Sequence, residues 1–333
     1  MYKTKIYVYP TIHDKGRKRN PYIANLIQGL EEVGYEVTNF KKLPKRGVID
    51  ILRHFNANTF IINWPENLYS LRLGFFQVIV YCLLLVAIRL SGKKIIWILH
   101  NKEAHSNKSY FSSFSMWITA KMSNSVVTHA FHGIKFFKEK YRKSNITAFP
   151  HPVYPDISFP KDVPIKYDFI IWGAIDPYKN ILSFLKYVED HNDELKQYTF
   201  LICGSCKNVS LANQINQLVE RNRNIHFENK FFSDADLAIA IAQSRVILYT
   251  YKESSVLSSG SVIYSLSAKK LIIGPNFGNF QELASGGQIV VYETYEEIFK
   301  LFSSSIVNER KIDEYHNQYT WNSFAQYIKQ IES

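Results

Sequence analysis

The chain has 333 residues, enough for two domains at roughly 150 residues each. An apolar fraction of 46%, a charged fraction of 21% and only 14 Gly and 11 Pro exclude wholesale disorder and collagen-like or low-complexity architecture. Three Cys, at 82, 203 and 206, exclude a disulfide framework and favour a reducing compartment. The net charge of +11 divides into +14 over residues 1–160 and −3 over 161–333, so the first half favours anionic partners.

Lys5 to Tyr9 reads as a strand, with an apolar run too short for a signal-peptide core. A polar loop from Thr11 to Asn20 follows and carries Lys15, Arg17 and Arg19. Pro21 to Val33 reads as a helix with Asn20 as its cap and Pro21 at the first helical position. Further strands are predicted at Tyr35 to Phe40, Phe60 to Asn63, Lys94 to Leu99 and Ser125 to Thr128. The apolar run Leu73 to Leu90 is shorter than the roughly 20 residues a spanning helix needs. It reads as a buried or half-buried helix, or as one lying on a membrane surface. Four prolines at 150, 152, 155 and 160 mark a linker.

A second alternating set then begins. Strands are predicted at Phe169 to Trp172, Tyr198 to Cys203, Ile225 to Phe227, Val246 to Tyr249 and Leu271 to Ile273, with helices from Ile181, Leu211, Asp234 and Ser261 between them. Trp321 to Ile331 closes the chain as an amphipathic helix. Strands alternating with helices imply parallel sheets with ligands at the carboxyl ends of the strands. The expected fold class is α/β, with two Rossmann-like domains facing each other across a linker. The expected boundaries are 1–155, 156–315, and a terminal helix over 316–333.

Two loops of the second half carry the strongest chemical signal. Ser258-Ser259-Gly260-Ser261 opens a helix just after a strand, where free N–H groups and the positive helix end favour an anion. Gly173 to Asn180 follows the first strand of that half; Gly173 permits a tight turn, and Lys179 is placed to pair with a phosphate. A helix cap and a surface lysine are the plain alternatives. In the first half His100 ends a strand and can act as a base or hydrogen-bond donor, a structural histidine being the competing reading. Asn101 follows His100 and Glu66 lies at another predicted strand end, with capping roles as the alternative; Glu103 and His105 are secondary candidates.

Other motifs carry less. Cys203-Gly204-Ser205-Cys206 has redox spacing but ends a strand inside an α/β set, and no second Cys pair exists for zinc. Asp234-Ala235-Asp236 reads as a helix cap, so no metal and no cofactor are expected. The first half lacks the basic helix or aromatic-basic strand of the known nucleic-acid modules.

Taken in order, these segments resemble GT-B glycosyltransferases, in particular family 4 and bacterial surface-polysaccharide enzymes. Gly173 to Asn180 resembles the family's "G-x-[IL]-x-x-Y-K-[GN]" turn, Pro150-His151-Pro152 its "P-H-P" linker, and Ser259-Gly260 with Ala268 to Ile272 its last phosphate loop and helix. Trp321, Phe324 and Tyr327 match the closing helix. In the first half Asn20-Pro21-Tyr22 resembles "N-P-Y", Asn63 to Glu66 "H-W-P-E", and Trp97 to Asn101 "W-T-V-H-N", with His105 matching a later His. The family's Glu pair is absent; Tyr264 and Val256 stand at those places, and Glu253 is out of register.

The resemblance implies two domains facing each other across a cleft, with the terminal helix returning to the first domain, and transfer of a sugar from a nucleotide-diphosphate donor to a glycan acceptor, one that is lipid-diphosphate-linked in surface-polysaccharide synthesis. It favours retention at the anomeric carbon without a protein nucleophile; with the Glu pair absent, inversion with His100 or Glu66 as base is the alternative. It implies donor contacts from Gly173, Tyr178, Lys179, Ser258, Ser259, Gly260, Ser261 and Tyr264, and catalytic roles for His100, Asn101 and Glu66. Acceptor contacts are expected from Lys15, Arg17, Arg19, Asn20 and His105. The basic first half and the apolar run point to an anionic membrane surface as a partner, with the protein peripheral on the cytoplasmic leaflet. A non-catalytic scaffold of the same fold, binding a sugar nucleotide or a partner enzyme, is the alternative.

Overall fold

The computed structural model describes residues 3–11, 21–39, 47–103, 109–155, 157–252 and 257–332. The chain forms two compact units. The first holds residues up to Val153, the short stretch Leu257–Ser258 and the chain from Gln318 onward; the second holds the rest.

In chain order the first unit contains β1 (Lys5–Tyr9), α1 (Tyr22–Glu32), β2 (Glu36–Val37), α2 (Asp50–Arg53), β3 (Thr59–Asn63), α3 (Gly74–Leu90), β4 (Lys94–Leu99), α4 (Tyr110–Met122), β5 (Ser125–Thr128), α5 (His132–Tyr141) and β6 (Ile146–Ala148). Its six strands are all parallel in the order β2-β1-β3-β4-β5-β6. Both faces of this sheet are covered by helices, so its strands read as apolar runs such as Phe60-Ile61-Ile62 and Ile95 to Leu99, buried throughout.

The second unit contains β7 (Tyr167–Trp172), α6 (Ile181–Asp190), α7 (Asn192–Leu195), β8 (Phe200–Cys203), α8 (Val209–Arg221), β9 (Ile225–Glu228), α9 (Asp234–Ala242), β10 (Ser244–Leu248), α10 (Gly260–Leu266), β11 (Leu271–Pro275), α11 (Gly278–Ser285), β12 (Val290–Tyr292), α12 (Tyr295–Ser304) and α13 (Glu309–Gln318). Its sheet is again parallel, in the order β12-β11-β10-β7-β8-β9. Counted from its own first strand that is the doubly wound order 3-2-1-4-5-6. Phe169 stacks on Phe200 at 5.2 Å and meets Phe302 at 4.9 Å, joining sheet to helix at the centre of this core.

The last helix, α14 (Trp321–Glu332), packs along α1 in the first unit. Gly29 makes this possible: a Cβ there would lie 2.6 Å from the Trp321 carbonyl oxygen. The Tyr22 and Trp321 rings meet edge to face at 4.9 Å, and Lys329 Nζ donates to Val33 O at 3.1 Å.

Some expected local features differ. Helix α1 begins at Tyr22, with Pro21 in the capping position and no side-chain cap; Asn20 lies outside the described residues. Helix α9 is capped by Ser233, whose Oγ accepts from Asp236 N at 3.1 Å. Asp234 and Asp236 therefore sit inside its first turn, where carboxylates favour the positive helix end. Among the described residues no helix is long and apolar enough to cross a membrane.

Candidate functional site

In a doubly wound sheet the crevice opens where adjacent strands connect in opposite directions. In the second unit that point lies between β7 and β10, and the residues just past both strands converge there. Gly173 follows β7 with φ +96°, a conformation open to glycine at no steric cost. A Cβ at Gly173 would lie 2.9 Å from Lys179 Nζ, and one at Gly204 would lie 2.0 Å from Gly173 O. Both glycines thus let the β7 and β8 loops close over the lysine. Lys179 is buried, and its ammonium donates to Trp172 O at 2.8 Å with the Tyr251 ring 5.6 Å away. An ammonium has three N–H bonds, so this contact occupies one and holds the cation at the strand end.

The serine loop is part of a network of tyrosines. Tyr249 OH donates to Ser261 O at 2.8 Å, so the Ser265 hydroxyl, also 2.8 Å away, donates to Tyr249; Trp172 Nε1 donates to Ser265 Oγ at 3.0 Å. Ser261 Oγ lies 3.0 Å from Tyr251 OH and 2.8 Å from Ser259 Oγ. Ser259, Gly260 and Ser261 are therefore fixed from beneath. Tyr264 meets Trp172 at 5.2 Å and Phe159 at 6.0 Å, and burial pushes its hydroxyl up to about 12. The Tyr178 ring lies edge-on to Tyr251 at 5.4 Å. Ser258 belongs to the first unit, and its hydroxyl is buried without a partner among the described residues.

In the first unit the corresponding point lies between β1 and β3. Asn63, the last residue of β3, spans it: its Nδ2 donates to Tyr9 O at 2.9 Å. That leaves Oδ1 facing His100 Nε2 at 2.9 Å. An amide oxygen only accepts, so His100 carries its proton on Nε2 and presents Nδ1 as a lone pair. Trp64 follows with φ 50°, a strained conformation for a non-glycine before proline. It lays its indole on the His100 ring at 4.6 Å, nearly parallel, while Tyr22 meets the ring edge-on at 4.7 Å.

Two more histidines join it. His129 donates from Nδ1 to Phe149 O at 2.8 Å and accepts from Tyr22 OH at 2.6 Å; His151 donates from Nδ1 to Pro152 O at 2.7 Å. Ring centroids of His100 and His129 are 5.6 Å apart, and those of His129 and His151 5.0 Å. Burial, with repulsion from His151, pushes His100 down to about 3. Burial pushes His151 down to about 4 and His129 well below the ordinary range. The cluster is neutral at pH 7. Among the described residues no group of three or more His, Cys, Asp or Glu side chains is arranged to hold a metal ion.

Glu66 and Asn101 form a buried pair at the same edge, Asn101 Nδ2 donating to Glu66 Oε1 at 2.7 Å. Burial pushes the Glu66 carboxyl up to about 7, against the opposing pull of Asn101. The expected catalytic residues His100, Asn101 and Glu66 thus lie in one unit, and Gly173, Tyr178, Lys179, Ser259, Gly260, Ser261 and Tyr264 in the other. Lys15, Arg17, Arg19, Asn20 and His105 lie outside the described residues. Sequence reasoning missed Asn63 as the partner of His100, and Tyr249, Tyr251 and Ser265 beneath the serine loop. The histidine cluster did leave a signal: His100 and His129 each follow the last residue of adjacent parallel strands, and Leu99 pairs with Thr128 in register.

No protein-family model matches the chain, and no curated protein matches it. Solved structures do. HepE of Anabaena, crystallised in complex with UDP, superposes with a TM-score of 0.67 at 11% identity, over 98% of this chain and 99% of its own. A glycosyltransferase from Rickettsia africae ESF-5 gives 0.66 at 13% identity, over 99% and 98%. AviGT4, a glycosyltransferase involved in avilamycin A biosynthesis, gives 0.63 at 12%, over 99% and 97%. The chain spans 55% of the length of TarM, with a TM-score of 0.59 at 11% identity over 83% of this chain. At these identities the likeness establishes the fold, and the fold is GT-B.

Proposed function

We propose that this protein is a glycosyltransferase that moves a sugar from a nucleotide-diphosphate donor to a glycan acceptor. The single observation that carries the reading is the switch point of the second unit: a lysine ammonium held at the end of β7 beside a serine loop that opens α10. Leaving-group negative charge develops on the diphosphate, and fixed cations and N–H dipoles stabilise it there without reorganisation. HepE, with nearly the same extent as this chain, was crystallised with UDP and with UDP and glucose; that supports a uridine nucleotide here. The reading gives the cation's role to Lys179 and invokes no metal cofactor. Ser258 and Tyr178 complete the proposed donor contacts, and Tyr264 supplies an aromatic ring where family 4 places a carboxylate.

The first unit takes the acceptor side. His100 offers a neutral Nδ1 lone pair, and the Glu66–Asn101 pair sits beside it as a polar anchor. Retention at the anomeric carbon, a lipid-diphosphate-linked acceptor and a peripheral site on an anionic leaflet belong to the same proposal, with Lys15, Arg17, Arg19, Asn20 and His105 as acceptor contacts.

Lys179→Ala is expected to weaken UDP binding by about 1–3 kcal/mol, the scale of a charge-assisted hydrogen bond. Calorimetric titration of UDP into wild type and variant reads this directly. Equal affinity would remove Lys179 from the donor site and the reading's main support with it.

A further inference from the structure

Helix α3 has two apolar faces. Val78, Tyr81, Leu84, Leu85 and Ile88 are buried in the core of the first unit. Phe75, Phe76, Ile79, Leu83, Val86 and Leu90 are exposed, Leu83 at 66% and Leu90 at 84%. At the helical period these six fall within an arc of roughly 100°. A contiguous apolar stripe on a surface marks an interaction site.

The stripe continues onto α4. Phe75 meets Phe111 at 5.3 Å, Tyr110 lies 6.1 Å from Phe111 and 6.5 Å from Phe114, and Phe114 stacks on Trp117 at 5.8 Å. Tyr110 is 80% exposed and Trp117 44%. The stretch of chain that carries the stripe is basic. From residue 67 to 138 the chain has nine Lys and Arg and a single carboxylate, Glu103. Arg72 and Arg89 flank the stripe, and the Lys121 ammonium lies 6.0 Å from the Trp117 ring.

We propose that the α3–α4 face docks on an anionic lipid bilayer, with α3 lying in the headgroup region and its apolar stripe facing the acyl chains. Aromatic rings and basic side chains around an apolar stripe suit that interface, where cationic ends reach the phosphates while their stems and neighbours sink inward. Self-association is disfavoured by the same charges. A two-fold interface sets the same patch of both copies together, and here that opposes two basic rims. The proposal deepens the lipid-linked acceptor reading above, but its test needs no catalysis.

The experiment is flotation with phosphatidylcholine vesicles, with and without phosphatidylglycerol, using wild type and the double variant Phe76→Glu, Leu83→Glu. Both side chains are exposed, so the fold and UDP binding are expected to persist in the variant. Wild type is expected to float with the anionic vesicles, less so with added salt, and the variant to partition about 100-fold more weakly. Equal flotation of variant and wild type overturns the proposal, as does equal binding of wild type to neutral vesicles. Failure to float, together with a wild-type dimer that the variant breaks in sedimentation, overturns it in favour of a contact between copies. UDP binding that survives in any of these cases leaves the donor reading intact, and loss of UDP binding in wild type with flotation intact separates the two the other way.

Discussion

His100→Gln is expected to lower turnover of a nucleotide sugar by about 10²–10⁴-fold, the usual contribution of a positioned acid or base, while UDP binds as in wild type. Gln is the informative replacement because its side-chain amide can still donate to Asn63 Oδ1 and fill part of the space between Trp64 and Tyr22. What it lacks is the ring Nδ1 lone pair that Asn63 orients. His100→Ala would confound the test by leaving Asn63 Oδ1 unpaired, a cost of about 1–3 kcal/mol when such a group is buried. Steady-state rates beside a melting curve separate the two effects. Full activity in a natively folded His100→Gln protein would remove His100 from the reaction.

Mild acid is expected to unfold the first unit. His100, His129 and His151 are all held below the ordinary histidine range by burial, as is His54 beside Asp50. The unfolded chain therefore binds protons below pH 6.5 that the native state refuses until about pH 4 at His151 and about pH 3 at His100. Their stability contribution is present above pH 6.5 and is lost as pH falls. Glu66 acts in the opposite direction: the native carboxyl, raised to about 7, keeps a proton that the unfolded chain releases above about pH 4.5. The net uptake on unfolding is two to three protons, and each is worth about 1.4 kcal/mol per pH unit. Against a native stability of about 5–15 kcal/mol, a fall of two pH units is enough to matter. Urea unfolding followed from pH 7 to pH 5 should show a steep loss, and His151→Gln should flatten the slope by about one proton. A stability independent of pH across that range would contradict the neutral, buried cluster.

Much of the architecture was legible because parallel strands buried on both faces read as short apolar runs between amphipathic helices. Lys5–Tyr9, Lys94–Leu99 and Ser125–Thr128 match their predicted bounds residue for residue. The edge strands β6 and β12 were missed because three residues of Ile-Thr-Ala or Val-Val-Tyr carry no period. Helix α3 illustrates a subtler limit. Its run of apolar residues has no polar face, so periodicity alone did not tell which side enters the core; only packing against the sheet exposes Leu83 and buries Leu84.

The candidate site was legible only where its residues are close in sequence. Gly173 and Lys179 are close in sequence and share one turn, so their proximity follows from local geometry. The Asn63–His100 and Tyr249–Ser265 contacts join residues 37 and 16 apart. Strand order sets the first, and the chain's return to the sheet through α10 sets the second. Spacing in the sequence specifies neither.

The measurement closest to the central claim is release of UDP from UDP-sugars by the purified protein, followed with and without a glycan acceptor. The account predicts release from at least one UDP-sugar, faster with a suitable acceptor, and reduced in both Lys179→Ala and His100→Gln. UDP binding without release from any nucleotide sugar, under conditions where the protein is folded, would contradict it and leave a sugar-nucleotide-binding scaffold in its place.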